Sequence, residues 1–146
     1  MNLVDILIVE DNPGDARIIK EVLGNKNTIF CMHVVHDGLE ALNFLHKKDN
    51  YSLAPRPDLI LLDLNLPKKD GREVLAEIKG DVQLRQIPVV VMTSSNAEED
   101  IFRSYDLHAN CYISKPLELD QFEIAVKSIE DFWFSLVKLP RRNNDI

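Results

Sequence analysis

Apolar residues along this chain fall into two alternating patterns. Short β-rich runs occur at Asp5–Glu10, Phe30–Val35, Asp58–Asp63, Pro88–Thr93 and Cys111–Ser114. Between them lie segments with helical spacing, near Pro13–Leu23, Gly38–His46, Gly71–Lys79 and Ala97–Tyr105, and a longer one from Leu119 to about Leu139. Three of the runs, Ile6-Leu7-Ile8-Val9, Leu59-Ile60-Leu61-Leu62 and Val89-Val90-Val91-Met92, are uninterrupted, as expected of strands covered on both faces. Alternation of strand and helix implies right-handed crossovers and a parallel sheet.

Five strands and five helices predict an α/β, flavodoxin-like (βα)5 three-layer sandwich with strand order 2-1-3-4-5 and an extended C-terminal helix. Local signals agree with these boundaries. Asn12 is placed to cap the first helix, with Pro13 at its first position and Asp15 in its first turn. Asn96 followed by Glu99 resembles a capping box for the fourth. The loop from Lys47 to Pro57 is longer than most such connections and is expected to be mobile. No repeat or linker is visible, so residues 3–139 are expected to form one domain and 140–146 a frayed tail.

Composition narrows the function. A formal charge of −7 argues against a general nucleic-acid binder. No apolar stretch approaches the roughly 20 residues of a bilayer span, and Asp5, Glu10 and Asp11 interrupt any signal-like segment, so a cytoplasmic location is expected. Cys31 and Cys111, on opposite sheet edges in this topology, are expected to remain thiols. His33 and His36, three apart on a strand, point to opposite faces and do not make a metal pair, and His46 and His108 have no partner spacing.

The candidate chemistry lies at the strand ends. In this topology ligands bind beyond the carboxyl ends of the strands at the switch in strand order, between the first and third strands. Glu10, Asp11 and Asp63 converge there. Three carboxylates held together repel unless one is protonated or a cation intervenes, and Mg²⁺, with Mn²⁺ as a substitute, suits a few oxygen ligands plus a phosphate. Asn65 could add its backbone carbonyl. Thr93 supplies a hydroxyl and Lys115 a point charge for a phosphoryl oxygen. In such a set Asp63 would be the nucleophile, forming an acyl phosphate.

With these residues in view, the chain resembles a response-regulator receiver domain of two-component signalling over roughly residues 3 to 131. The resemblance rests on Glu10-Asp11, the segment Asp63-Leu64-Asn65-Leu66-Pro67 with Gly71, Thr93, and Lys115-Pro116. It implies Asp63 as phosphoacceptor from a sensor histidine kinase. It also implies Glu10, Asp11, Asp63 and the Asn65 carbonyl as metal ligands, Thr93 and Lys115 as switch and clamp, and Tyr112 as an aromatic rotamer switch. A cis Lys115–Pro116 bond is a further expectation of the family. Small Ser94 leaves the site open to a donor. The long Lys47–Pro57 loop, the wording of residues 63–71 and the aromatic last helix are also similar to single-domain regulators of cyanobacterial phytochromes, which implies a phytochrome as the sensor.

The last helix carries one apolar stripe, Phe122, Val126, Ile129, Trp133, Leu136 and Val137, with Ile124 and Phe134 off it. Phe132 and Phe134 are candidate members of a homodimer seam. With no output domain expected, signalling would run through protein contacts. The competing reading is a haloacid-dehalogenase-like phosphatase, which also uses an aspartate nucleophile, Mg²⁺, a threonine and a lysine. That chemistry requires a second carboxylate two residues after the nucleophile, where this chain has Asn65. Asp63 is therefore expected to be a modified switch residue and not a turnover site.

Overall fold

The computed structural model describes residues 2–24, 28–94, 97–115, 118–136 and 138–140. Its strands are β1 (Asn2–Val9), β2 (Thr28–Val35), β3 (Leu59–Leu62), β4 (Val89–Thr93) and β5 (Cys111–Ser114). All pair in parallel, in the order β2-β1-β3-β4-β5. The register sets Val9 beside both Val35 and Leu62, so β1 and β3 end level with each other.

Alternation along the central strands divides the core into two layers. Leu7, Val9, Ile60, Leu62, Val89 and Val91 face α2 (Gly38–Leu45) and α3 (Gly71–Gly80) through Leu42, Phe44, Val74, Leu75 and Ile78. Ile6, Ile8, Leu59, Leu61, Val90 and Met92 face α1 (Pro13–Val22) and α5 (Leu119–Glu130) through Ile19, Phe122, Val126 and Ile129. This is the expected three-layer sandwich. In α4 (Glu98–Asp106) only Ser104 is buried, but Arg72 of α3 grips Asp100 with two hydrogen bonds of 2.9 and 2.7 Å. Cys31 and Cys111 are free thiols on the two edge strands.

The helix starts follow from local chemistry. The Asn12 side chain accepts the Asp15 N–H at 3.1 Å, Asp37 accepts that of Glu40 at 2.7 Å, and Asp70 accepts that of Arg72 at 3.0 Å. α4 instead begins after Ala97 with no side-chain cap, and Asn96 lies outside the described residues. The long loop is tied down. It contains a 3-10 turn, Asp49–Tyr51, whose Tyr51 ring packs on Phe44 at 5.3 Å and whose hydroxyl donates to Glu40. Burial, then the Glu40 carboxylate, pushes the Tyr51 hydroxyl up to about 12.

The last helix departs from the expected course. After Glu130 the chain continues as a π-helical turn, Asp131–Leu136, and residues 138–140 carry no regular structure. Pro140 disfavours helical backbone at Leu139, which accounts for an end earlier than the expected one. A π turn advances each residue by less than the ~100° of an α-helix, so Phe134 swings towards the sheet. It packs edge-on against Phe30 of β2 at 5.0 Å, whereas Phe132 stays 47% exposed and meets the Trp133 ring next to it, also edge-on. Of the two aromatics expected in a dimer seam, Phe134 is thus engaged within its own chain.

Candidate functional site

Strand termination builds the site. β1 ends at Val9, and the Glu10 N–H bonds to the Val35 carbonyl at 3.0 Å, which turns the Glu10 side chain inward where it is 2% exposed. Asp11 follows on the exposed side. β3 ends at Leu62, and the Asp63 N–H bonds to the Val9 carbonyl at 3.1 Å, which locks the Asp63 backbone beside Glu10. The Lys115 N–H bonds to the Thr93 carbonyl at 2.7 Å and draws the end of β5 to that of β4.

Two glycines allow the rim to close. A Cβ on Gly71 would lie 2.4 Å from the Asp63 carbonyl oxygen, and one on Gly38 would lie 2.0 Å from that of Lys69. The loop between β3 and α3 therefore rests directly on the starts of α2 and α3, and any larger residue would push it off.

Three donors, two side chains and one backbone N–H, converge on Asp63. The Thr93 hydroxyl donates to its Oδ1 at 2.8 Å, and the Asn65 backbone N–H donates to the same oxygen at 2.9 Å. The Lys115 ammonium donates to its Oδ2 at 2.9 Å. Lys115 also donates to Glu10 and, at 2.9 Å, to Asp15 Oδ2. Oxygens of Glu10, Asp11 and Asp63 lie within 4.8 Å of one another, the one acidic group of metal-binding geometry among the described residues.

One ammonium shared among several carboxylates does not neutralise them, and burial decides where the excess is felt. Burial first, and the charge of Asp63 after it, raise the Glu10 carboxyl from 4.5 to about 7 despite its bond to Lys115. Burial also works to raise Asp63, but the Asn65 N–H, Lys115 and Thr93 outweigh it and hold Asp63 below its ordinary value. For Lys115 burial is opposed by bonds to Glu10, Asp15 and Asp63, which keep it firmly protonated. Asp63 is thus an ionised, well-oriented oxygen nucleophile beside a carboxyl that shares its negative field. A divalent cation fits this donor set: all its groups are hard oxygens, and the single Lys115 ammonium does not balance the carboxylates it serves.

Asp63, Glu10, Asp11, Thr93 and Lys115 meet as expected, and Asn65 contributes through its backbone N–H, with its side-chain amide 3.4 Å from the Thr93 hydroxyl. Tyr112 lies half-buried on β5 against the α3-side core, its N–H bonded to the Tyr105 hydroxyl at 3.2 Å. Pro116, and with it the Lys115–Pro116 bond, lies outside the described residues. His33 and His36 are separated as expected: one imidazole sits 3.3 Å from Asp5, the other 3.2 Å from the Glu10 carbonyl. Asp15 was not anticipated as a partner of Lys115. Its one sequence signal is its place in the first turn of the helix that follows directly on Glu10-Asp11.

A parallel five-stranded α/β sheet with a buried strand-end aspartate, a hydroxyl and an ammonium is the arrangement expected above for a receiver domain. The response regulator receiver domain profile matches residues 6–127, and the chain belongs to that family. The chain is 50% identical to response regulator Rcp1 of Synechocystis sp., over 92% of each chain. It is 39% identical to the probable methanogenesis regulatory protein FilR2 of Methanothrix harundinacea, over 92% of this chain and 86% of that one. Its fold superposes on the crystal structure of phosphorylated RcpA, a cyanobacterial phytochrome response regulator, with a TM-score of 0.92 and 55% identity, over 94% of this chain and 99% of that one. The Mn²⁺-bound form of Rcp1 matches with a TM-score of 0.91 and 49% identity, over 94% and 99%. Family membership decides against the phosphatase reading. No helix among the described residues is long and apolar enough to cross a membrane.

Proposed function

We propose that this chain is a response regulator that accepts a phosphoryl group on Asp63 from a sensor histidine kinase. The observation that carries the reading is the placement of Asp63: 6% exposed and held by hydrogen bonds from Thr93, the Asn65 N–H and Lys115. In the transfer an Asp63 oxygen forms a bond to phosphorus as the phosphorus–nitrogen bond of the donor histidine breaks. The imidazole keeps the bonding pair and later takes a proton from solvent. Lys115 and the Thr93 hydroxyl stand where the phosphoryl oxygens would arrive.

Glu10, Asp11, Asp63 and the Asn65 carbonyl would hold Mg²⁺, with Mn²⁺ as a substitute. The bound ion would neutralise charge on the phosphoryl oxygens. Similarity to RcpA, a cyanobacterial phytochrome response regulator, supports a phytochrome as the sensor. Residues 3–139 act as the receiver unit, Thr93 and Tyr112 report phosphorylation to the α4–β5 region, and output passes through protein contacts and not through nucleic acid or a membrane. Self-association through the last helix would use exposed Phe132, with Phe134 supporting it from below.

The test is phosphoryl transfer from an autophosphorylated histidine kinase, with Mg²⁺, to the wild type and to Asp63→Asn. The wild type should be labelled once per chain and the variant not at all. Label on both proteins, or repeated turnover of a simple phosphomonoester, would contradict the reading.

A further inference from the structure

A lysine ammonium has three N–H donors, and Lys115 spends them on three different carboxylates, Glu10, Asp15 and Asp63. Two of these acceptors have a second claim on them. Glu10 and Asp63 belong, with Asp11, to the oxygen group suited to a cation, and Asp15 does not. Asp15 is also anchored independently of the strand rim. It occupies the third position of α1, with its backbone N–H bound to the Asn12 side chain at 3.1 Å. Its carboxylate is 25% exposed, against 8% for the Lys115 side chain.

We propose that Asp15 is a positioning residue for Lys115: it keeps the ammonium paired when Glu10 and Asp63 turn to a divalent cation. This rests on the metal-site reading above. When Glu10 and Asp63 engage a cation, Lys115 must release one or both while a second positive charge stands beside it. In a nearly closed site an ammonium left without an anion is costly. Asp15 removes that cost, because Lys115 can retreat onto a carboxylate that the cation does not use. Without Asp15 the ammonium has only Glu10 and Asp63 to hold, and it competes with the cation for both. The same retreat leaves Lys115 at the rim, in reach of an arriving phosphoryl oxygen.

The experiment is Mn²⁺ binding, followed by electron paramagnetic resonance of the free ion. It compares wild type, Asp15→Asn, Asp15→Glu, Lys115→Met and the Asp15→Asn/Lys115→Met double variant, each checked for folding by circular dichroism. Asp15→Asn should weaken Mn²⁺ binding by roughly tenfold, the scale of a lost charge-assisted hydrogen bond. Asp15→Glu, which restores a carboxylate, should recover most of it. In the Lys115→Met background the same Asp15→Asn change should cost less than about twofold, because the ammonium it serves is gone. Wild-type affinity in Asp15→Asn overturns the proposal. So does an equal loss in both backgrounds, which would make Asp15 a remote charge acting directly on the ion. Failure of every protein to bind Mn²⁺ would instead remove the metal-site reading, and this inference with it.

Discussion

Glu10 offers a quantitative handle on what burial, and the charge of Asp63 after it, do to a carboxyl at the site. A rise in its carboxyl from 4.5 to about 7 means that the folded protein binds this proton more tightly than the unfolded chain does. The stability contributed is therefore fully present below about pH 4.5 and is lost as pH climbs through about 7. The rise is worth ~3 kcal/mol by linkage, a large share of the 5–15 kcal/mol typical of a domain. Asp63 has the opposite sign: held below its ordinary value of 3.8, it loses stability only as pH falls through the acid range. The two effects thus occupy separate pH windows. Glu10→Gln removes the titration while keeping the size of the side chain. Urea denaturation of both proteins, metal-free and at constant ionic strength, from about pH 5 to pH 8 isolates the Glu10 contribution as a difference. Wild type should lose ~2–3 kcal/mol relative to Glu10→Gln across that range. Saturating Mg²⁺ should abolish the slope and make wild type the more stable protein at the alkaline end. Parallel stability curves without metal would refute the claim that burial and Asp63 together raise Glu10.

Three further outcomes follow from other contacts. The Arg72–Asp100 fork is about four-fifths buried on both sides and is the paired polar link from α3 to thinly packed α4, so a double-mutant cycle with Arg72→Gln and Asp100→Asn should give a coupling of ~1–2 kcal/mol. Additive losses would show that α4 does not depend on it. Gly38→Ala places a Cβ 2.0 Å from a backbone oxygen and should cost ~2–3 kcal/mol in denaturant melts, with the loop between β3 and α3 displaced in amide spectra. Phe134→Ala should cost ~2–3 kcal/mol through its lost contact with Phe30, whereas Phe132→Ala should leave monomer stability within ~0.5 kcal/mol. Sedimentation of Phe132→Ala and of the double variant then tests the seam; a wild type that stays monomeric at high micromolar concentration would remove it.

The parts of this protein that could be read in advance are those where one residue's surroundings follow from a short run. Leu59-Ile60-Leu61-Leu62 is apolar on both faces, so it must be a central strand, and Asp63 after it must reach the rim. The same reasoning delivered Glu10 and Thr93. Asp15 escaped because its partner is 100 residues away in sequence, and a first-turn aspartate is already accounted for by the helix dipole. Glu130 escaped for a similar reason. It is 1% exposed, yet its carboxylate accepts the Gly24 N–H at 2.6 Å and the Lys127 ammonium at 2.8 Å, pinning α5 to the end of α1. Lys79 is a third case: it closes the turn after α3 by donating to the carbonyls of Arg85 and Ile87 and to Asn110, and burial lowers it to about 8. Phe134 packs towards the sheet although helical spacing sets it off the apolar stripe, because that spacing assumes a constant turn and the chain changes to a π turn at Asp131.

The central claim is that Asp63 is the one residue to carry a covalent phosphate. Its most direct test is intact-mass spectrometry after incubation with acetyl phosphate and Mg²⁺, with borohydride trapping to locate the acyl phosphate. The account predicts the mass of a single phosphoryl group on wild type, trapped at Asp63, absent with chelator and absent from Asp63→Asn. A phosphoryl adduct on Asp63→Asn at the wild-type level, or one trapped at Glu10, Asp11 or Asp15 in the wild type, would contradict it.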